Sequence, residues 1–336
     1  MVALLMASQR MEQRASDQQI TLMVLGGHVH ALPQHAGAGS IGSVGGISGI
    51  NGGVFPHPSL AFYDKAGEGH RCLVGYKDTQ PRWCTYGDPE GALDVAVLGD
   101  SKMEQYHDAL DVVGQALGWK FRMATKSACP FTTATVQWNA KPYTACSEFN
   151  QAVWMDLEEN PPDLVISSQN GKKGWLEKGG EGASISASSR EGMVQGLVQT
   201  WTKLGNMGAE VLVVLDNPRP PKELWPVYEC MLNHASDYDA VCAFDKQAGQ
   251  ATSAERVQRS AAERVRKLGG AVNLIDLADY ICPEETRCSP AVGGITVYRA
   301  KSHLTNTYAK SLAPILEKKL REATSTNNIR AERRRE

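Results

Sequence analysis

The tripeptide Gly99-Asp100-Ser101 places a small hydroxyl where it could act as a nucleophile. It follows the apolar run 95–98 and precedes an amphipathic segment, which predicts a strand-to-helix elbow. A helix beginning near Lys102 would point its first backbone N–H groups and its positive dipole end at this elbow. Gly99 and Asp100 are therefore expected in the oxyanion or substrate region around Ser101. The alternative is an ordinary turn in which the polar side chains only cap the helix.

A serine nucleophile needs a base, and the candidate is His303 in "YRAKSHLTNTYAKSLAP". This histidine is predicted in a loop just before the last helix. The chain must return there to the sheet edge that carries Ser101. A neutral imidazole with an ordinary pKa of about 6.5 suits general-base chemistry at neutral pH. A lone histidine can equally be a surface or core residue, and that alternative stays open.

Two further loops could supply donors for a developing oxyanion. In "PPDLVISSQNGKKGW", Asn170 follows a predicted strand, and its side-chain amide could donate. Its alternative role is that of a turn residue before Gly171. In "TKSACP", a backbone N–H from about Ser127 or Ala128 would add a second donor.

These residues need a scaffold, and the hydrophobic pattern alternates strand-like with helix-like runs. The predicted strands are Asp94–Leu98, Lys120–Ala124, Leu164–Ser167, Glu210–Leu215 and Ala271–Ile275. The predicted helices are Lys102–Leu117, Ser147–Leu157, Arg190–Leu204, Ser253–Leu268 and Asn306–Glu322. The alternation predicts a three-layer α/β fold of flavodoxin-like type, with a mainly parallel sheet and helices on both faces. Ligands bind such folds at the carboxyl ends of the strands, where Ser101 and Asn170 are expected.

Eight cysteines indicate the compartment: Cys72, Cys84, Cys129, Cys146, Cys230, Cys242, Cys282 and Cys288. They show no Cys-x-x-Cys motif and no zinc-ligand spacing, so no metal site is expected. Pairing in sequence order is favoured because each pair would bracket one loop between regular elements. Such disulfides persist outside the cytoplasm. The alternative is a set of scattered core thiols.

Composition excludes several function classes. Of the 336 residues, 35 are Lys or Arg and 37 are Asp or Glu, for a net charge of -2, which gives no argument for nucleic-acid binding. No apolar run approaches the roughly 18 residues of a membrane span. A cytosolic nucleotide-binding protein fits the sheet but not the cysteines, and the phosphate-binding Gly-x-Gly-x-x-Gly is missing, so no cofactor is expected.

The chain divides into three parts by composition. Residues 1–55 contain "HAGAGSIGSVGGISGINGGVF" and are predicted to be a flexible leader or linker, or the truncated remnant of an upstream membrane region. Residues 56–322 carry the alternating pattern and are predicted to form one domain. Residues 323–336 end in "RAERRRE" and are predicted to be a charged, disordered tail.

Several motifs together resemble one known family. They are "CLVGYKDTQPRWCTYGDPEG", "VLGDSK", "TKSACP", "LDNPRP", "YICPEETRCSPAVGGITVYR" and "SHLTNTYAKSLAP". The chain, from about Pro56 to Leu320, is similar to the extracytoplasmic SGNH domain fused to integral-membrane acyltransferase-3 proteins, within the SGNH hydrolase superfamily. The resemblance implies a serine that takes an acyl group and passes it to a hydroxyl of a cell-envelope carbohydrate, or to water. It also implies an acyl donor, a carbohydrate acceptor and a membrane acyltransferase domain, in the same chain or a separate one.

Carried over by position, the resemblance implies Ser101 as nucleophile and His303 as base, with two departures. Family members often have Asp three residues before the histidine, where this chain has Ala300. Three interpretations follow: a Ser–His dyad oriented by a backbone carbonyl, a substitute acid from Asp279 or Glu284, or a degenerate domain that only binds glycan or a partner. The second departure is Lys102, where many members have His. This lysine would either hold an anionic acyl group or glycan charge, or be an exposed lysine at the helix start.

Overall fold

The computed structural model describes residues 53–67, 69–139, 141–175 and 188–324. The predicted leader therefore lies outside the described residues except for 53–55, and the predicted tail except for 323 and 324. At the start of the described part, Phe55 forms a parallel bridge with Ile295.

Seven strands form one central sheet and the others form small hairpins and ribbons. In chain order the strands are β1 (Leu73–Val74), β2 (Cys84–Gly87), β3 (Leu93–Gly99), β4 (Trp119–Lys126), β5 (Thr135–Trp138), β6 (Lys141–Pro142), β7 (Leu164–Ser168), β8 (Gly174–Trp175), β9 (Glu210–Val214), β10 (Phe244–Asp245), β11 (Asn273–Ile275), β12 (Arg287–Cys288), β13 (Ala291–Val292), β14 (Ile295–Thr296), β15 (Tyr298–Ala300) and β16 (His303–Leu304). The sheet has the order β1-β4-β3-β7-β9-β11, with β2 also pairing to β4. Every pair is parallel except β2–β4.

Helices connect these strands. In chain order they are α1 (Pro58–Ala61), α2 (Gly69–Cys72), α3 (Ser101–Glu104), α4 (His107–Leu117), α5 (Thr144–Glu159), α6 (Arg190–Asn206), α7 (Val227–Asn233), α8 (Tyr238–Val241), α9 (Lys246–Thr252), α10 (Glu255–Lys267), α11 (Ala278–Ile281), α12 (Asn306–Ser311) and α13 (Ala313–Ala323). Within the described residues, no helix combines the length and the apolar character required to cross a membrane.

Alternating side chains of β3 separate the two faces of the sheet. Val95 and Val97 enter one core with buried residues of α4, α12 and α13, whereas Ala96 and Leu98 enter a second core with those of α5, α6 and α10. A parallel strand buried on both faces requires this continuous apolar run. The predicted three-layer α/β fold with a mainly parallel sheet is confirmed.

Two predicted helices are each divided in two. The segment predicted as Lys102–Leu117 breaks at Gln105 and Tyr106, where the N–H of Tyr106 bonds the carbonyl of Met103 in a tighter turn. The segment predicted as Asn306–Glu322 breaks at Leu312, two residues before Pro314, which has no N–H to continue a helical hydrogen-bond ladder.

The predicted sequential disulfide pairing is confirmed. The four bonds are Cys72–Cys84, Cys129–Cys146, Cys230–Cys242 and Cys282–Cys288. Each closes a local loop, and each contributes roughly 2–4 kcal/mol by restricting the unfolded chain. The second bond braces the loop that follows β4 against α5, next to the carboxyl edge of the sheet.

Candidate active site

The elbow after β3 accepts only glycine at position 99, two residues before the serine. Gly99 has φ +147°, and a side chain there would overlap the carbonyl oxygen of Ser168 on β7. Asp100 then caps α3, accepting the N–H of Lys102 at 2.9 Å. Ser101 is the first residue of the helix, so its own N–H has no intrahelical acceptor.

The structure brings the predicted nucleophile and base together. Nε2 of His303 lies 2.8 Å from Oγ of Ser101. His303 begins β16, after a hairpin turn from β15, rather than lying in the predicted loop. Its Nδ1 lies 3.3 Å from the carbonyl oxygen of Ala300, the residue at the position of the family's acid. Because a carbonyl can only accept, Nδ1 carries the proton, and Nε2 is left to accept the Ser101 hydroxyl proton.

The surroundings of His303 favour its neutral form. Burial lowers its pKa well below the usual value, and the cations of Lys102 and Arg299 lower the pKa further. The Ala300 carbonyl and the Asp216 carboxylate act in the opposite direction. A neutral imidazole at neutral pH is the form that can take a proton.

Neither acid considered as a substitute contacts His303, whose two ring nitrogens bond Ser101 and Ala300. Asp279 is mostly exposed and pairs with Lys246 at 2.8 Å. Glu284 pairs with Arg287 at 2.7 Å. Among the described residues, the group that orients His303 is a backbone carbonyl, as in the dyad interpretation.

Asn170 is fixed in an orientation that suits an oxyanion donor. Its backbone N–H donates to Oδ2 of Asp100 at 2.8 Å, and its side-chain Oδ1 accepts from Arg219. Arginine has only donors, so the atom facing it must be the amide oxygen. The amide Nδ2 is thereby left to donate elsewhere. Burial raises the pKa of Asp100 to about 6, against the opposing effect of the Asn170 and Lys102 N–H groups.

Ser127 does not supply the donor expected of it. Its N–H already bonds the carbonyl of Val74 at 3.0 Å, because β1 extends the sheet beside β4. The next residue, Ala128, has φ +53° and lines the cleft beside Asp100 and Asn170. Of the two residues expected to supply this donor, Ala128 is the one that lines the cleft.

Lys102 is neither exposed nor placed toward a substrate charge, contrary to both expectations. Its side chain is fully buried, and Nζ donates to the carbonyl of Ser302 at 2.6 Å and to Oδ1 of Asn217. The same Nζ forms an ion pair with Asp216 at 3.2 Å. The reason is topological, since the chain after β9 brings two polar residues beneath the elbow. Lys102 thus joins the helix that carries Ser101 to the turn that carries His303.

Sequence reasoning missed Asp216 and Asn217 as members of this site. Asp216 also accepts from Arg219 at 2.8 Å and from the N–H of Ala254 at 2.8 Å. Burial alone would raise the pKa of Asp216, but the cations of Lys102 and Arg219 outweigh it and the pKa is lowered. The available signal was "LDNPRP", a polar pair directly after an apolar strand at the carboxyl edge.

Comparison with known proteins identifies the family and the fold. The family described as the SGNH domain fused to AT3 domains matches residues 71–318. No curated protein matches the chain. Among solved structures, the periplasmic domain of the lipopolysaccharide acetyltransferase of Salmonella ser. Paratyphi A superposes with a TM-score of 0.50 at 13% identity, covering 70% of this chain and 85% of that chain. At this identity the likeness concerns the fold alone.

Proposed function

Since this chain belongs to the family of SGNH domains that are fused to AT3 domains, we propose that it is a serine-dependent O-acyltransferase or acyl esterase. The observation that carries the proposal is the 2.8 Å contact between Oγ of Ser101 and Nε2 of His303. The substrates proposed are an acyl donor and a carbohydrate of the cell envelope.

The proposed reaction has two acyl-transfer steps. Ser101 Oγ attacks the carbonyl carbon of the donor while its proton passes to Nε2 of His303. The tetrahedral intermediate collapses, the donor's leaving oxygen or sulfur takes that proton, and the acyl group stays on Ser101. A sugar hydroxyl or water then gives its proton to His303 and attacks the acyl carbon, which releases the product and restores the serine hydroxyl.

Three donors support the proposed oxyanion site. They are the free N–H of Ser101, the Nδ2 amide of Asn170 and the N–H of Ala128. The backbone carbonyl of Ala300 would hold the imidazole in the required tautomer and accept from the imidazolium formed after proton transfer. The missing acid makes this a Ser–His dyad, which depends more strongly on the rigidity of the β15–β16 hairpin that bears the base.

The proposed place of work is outside the cytoplasm, next to a membrane acyltransferase domain in the same chain or a separate one. Four disulfides support an oxidising compartment. The family's description, with its fusion to AT3 domains, supports the membrane partner. In that arrangement the membrane domain would supply the acyl group and this domain would transfer it.

The direct test is hydrolysis of p-nitrophenyl acetate and of an acetylated glycan by the wild type and Ser101→Ala. We expect kcat/KM to fall at least about 1000-fold, because the covalent step is lost. Ser147→Ala, an exposed serine on α5, is the matched control and should keep the wild-type rate. Equal rates for the wild type and Ser101→Ala would end the proposal.

A second candidate function is a domain that binds glycan or a partner without chemistry, and Ala300 in place of the acid favours it. A fluorophosphonate probe separates the two. An active dyad forms a covalent adduct at Ser101 that peptide mapping can locate, whereas a binding module leaves this serine unmodified.

A further inference from the structure

A cleft of about 410 Å³ opens beside the elbow. We call it the Trp138 cleft and define it by Asp100, Ala128, Trp138, Asn170, Lys172 and Lys173. Its volume lies within the range of small-molecule sites. Its lining includes Asp100, the residue directly before Ser101, and Asn170, a proposed oxyanion donor, so the cleft adjoins the proposed active site.

One wall of the cleft is aromatic. The ring of Trp138 stacks on Tyr76 at 4.1 Å between centroids, with an angle of 25° between the planes. The ring centroid of Tyr143 lies 6.1 Å from that of Trp138, on the same cluster of rings. A flat, partly exposed indole face that cannot rotate freely is a suitable surface for the C–H groups on one side of a sugar ring.

Another part of the lining is cationic. Lys172 and Lys173 follow Asn170 on the loop after β7, and neither forms an ion pair with a residue that the structure describes. The acid that lines the cleft, Asp100, is buried and uses both carboxylate oxygens to accept backbone N–H groups. The charge that the cleft presents to a ligand is therefore positive.

Lys172 has other cations near it and a neutral hydrogen-bond partner. Its Nζ donates to the carbonyl of Thr252, which holds the side chain in place without neutralising it. Burial lowers the pKa of Lys172 to about 8, and the nearby cations of Arg219 and Arg190 lower it further, against the effect of Asp216. An anion in the cleft would relieve this repulsion, whereas a neutral ligand would not.

We propose that the Trp138 cleft selects an anionic sugar, holding a carboxylate or phosphate between Lys172 and Lys173 while the sugar ring packs on Trp138. This inference rests on the proposed function, and it names the class of carbohydrate that the Ser101 site acts on. The anionic group would lie on the acylated residue or on the residue next to it.

The kinetic test compares O-acetylated methyl glucuronate, O-acetylated glucose 6-phosphate and O-acetylated methyl glucoside as substrates. We expect the wild type to favour an anionic ester about tenfold or more in kcat/KM, since a charge-assisted contact is made only there. Lys172→Gln/Lys173→Gln should lose that preference. The two anionic esters separate carboxylate from phosphate.

The matched control is Lys318→Gln/Lys319→Gln on α13, which removes the same charge from an exposed surface of the last helix. It should keep the preference of the wild type. Equal rates on the anionic and neutral esters by an active wild type would overturn the inference and leave the proposed function intact.

A binding measurement keeps the inference testable if hydrolysis is absent. Calorimetry measures binding to the cleft directly. The Ser101→Ala protein is titrated with unacetylated methyl glucuronate, glucose 6-phosphate and methyl glucoside. Tighter binding of an anionic sugar, weakened about tenfold by Lys172→Gln/Lys173→Gln and by Trp138→Ala, supports the inference even without turnover. Equal or undetectable binding of all three sugars overturns it.

Discussion

Two buried lysines hold the two sides of the site, and they do so by different means. Nζ of Lys102 contacts the carboxylate of Asp216, the side-chain amide oxygen of Asn217 and the backbone carbonyl of Ser302. Nζ of Lys126 meets backbone carbonyls, at 2.6 Å from Gly75 and 2.5 Å from Asp78. Burial lowers the pKa of both lysines to about 8.

The difference shows how each side of the site is fixed. The Lys102 cluster joins three distant segments through charge, so it can set the distance between Ser101 and His303. The Lys126 cluster joins β4 to one adjacent loop, which carries the Tyr76 ring of the aromatic wall, and a further contact of Nζ reaches the Tyr76 carbonyl at 3.1 Å. We therefore expect loss of the first to affect chemistry most, and loss of the second to affect stability and sugar binding.

Of the two lysine clusters, the larger effect is expected for Lys102→Met. Without Nζ the turn before His303 loses a donor at Ser302, and a displacement of about 1 Å at a reacting pair costs on the order of 100-fold in rate. We expect kcat on p-nitrophenyl acetate to fall about 100-fold with little change in KM.

This variant also leaves Asp216 without its lysine, which can cost about 3–5 kcal/mol of folding free energy. The double variant Lys102→Met/Asp216→Asn removes both charges and should fold more readily but keep the low kcat. Lys246→Met is the matched control, since Lys246 also pairs with an aspartate, Asp279, away from the site. A double variant with wild-type kcat would show that the cluster does not position the base.

The second prediction is a smaller effect on folding and binding for Lys126→Met. The carbonyls of Gly75, Tyr76 and Asp78 would lose their donor, so we expect a loss of about 1–3 kcal/mol in the free energy of unfolding. The KM for an acetylated glycan should rise several-fold as the aromatic wall loosens, and kcat should change less than threefold. Denaturant unfolding and steady-state kinetics measure both, and a kcat loss as large as that of Lys102→Met would abolish the distinction between the two clusters.

The smallest effect concerns pH. His303 must be neutral to act as a base, and its pKa is lowered by burial and by Lys102 and Arg299. The acid limb of kcat/KM in the wild type should therefore lie below pH 6.5. The double variant Lys102→Met/Asp216→Asn removes the Lys102 cation, which lowers the pKa of His303. It also removes the Asp216 carboxylate, which raises that pKa. Because Lys102 acts more strongly, the limb should move to higher pH, and a shift to lower pH in the kcat/KM profile would contradict this account.

The sequence predicted the parts of the molecule whose signals are local. Val95, Val97 and their neighbours show the pattern of a buried strand, and the cysteines pair two by two in sequence order, so the sheet and the disulfides could be predicted. The two-residue strands carry too short a pattern to detect. Ser101 and His303 could be named because each stands at an element boundary with a chemical use.

The long-range contacts were not readable in the same way. Whether Lys102 is buried depends on Asp216, more than a hundred residues later, and no periodicity records that pairing. Ser127 could not be separated from Ala128, because that choice depends on β1 pairing beside β4. Ala300 indicated that the acid is missing, but the contact of its backbone carbonyl with His303 depends on the folded hairpin.

The carbonyl that orients His303 has a consequence for how this site can vary over evolution. A peptide oxygen is present whatever the side chain, so position 300 is released from the constraint that an acid would impose. The constraint passes to the next residue, Lys301, whose φ of +50° forms the turn that directs the oxygen inward. Natural variants of such a dyad should therefore carry many different residues at position 300. Position 301 should be restricted to residues that tolerate a left-handed backbone, such as Gly and Asn.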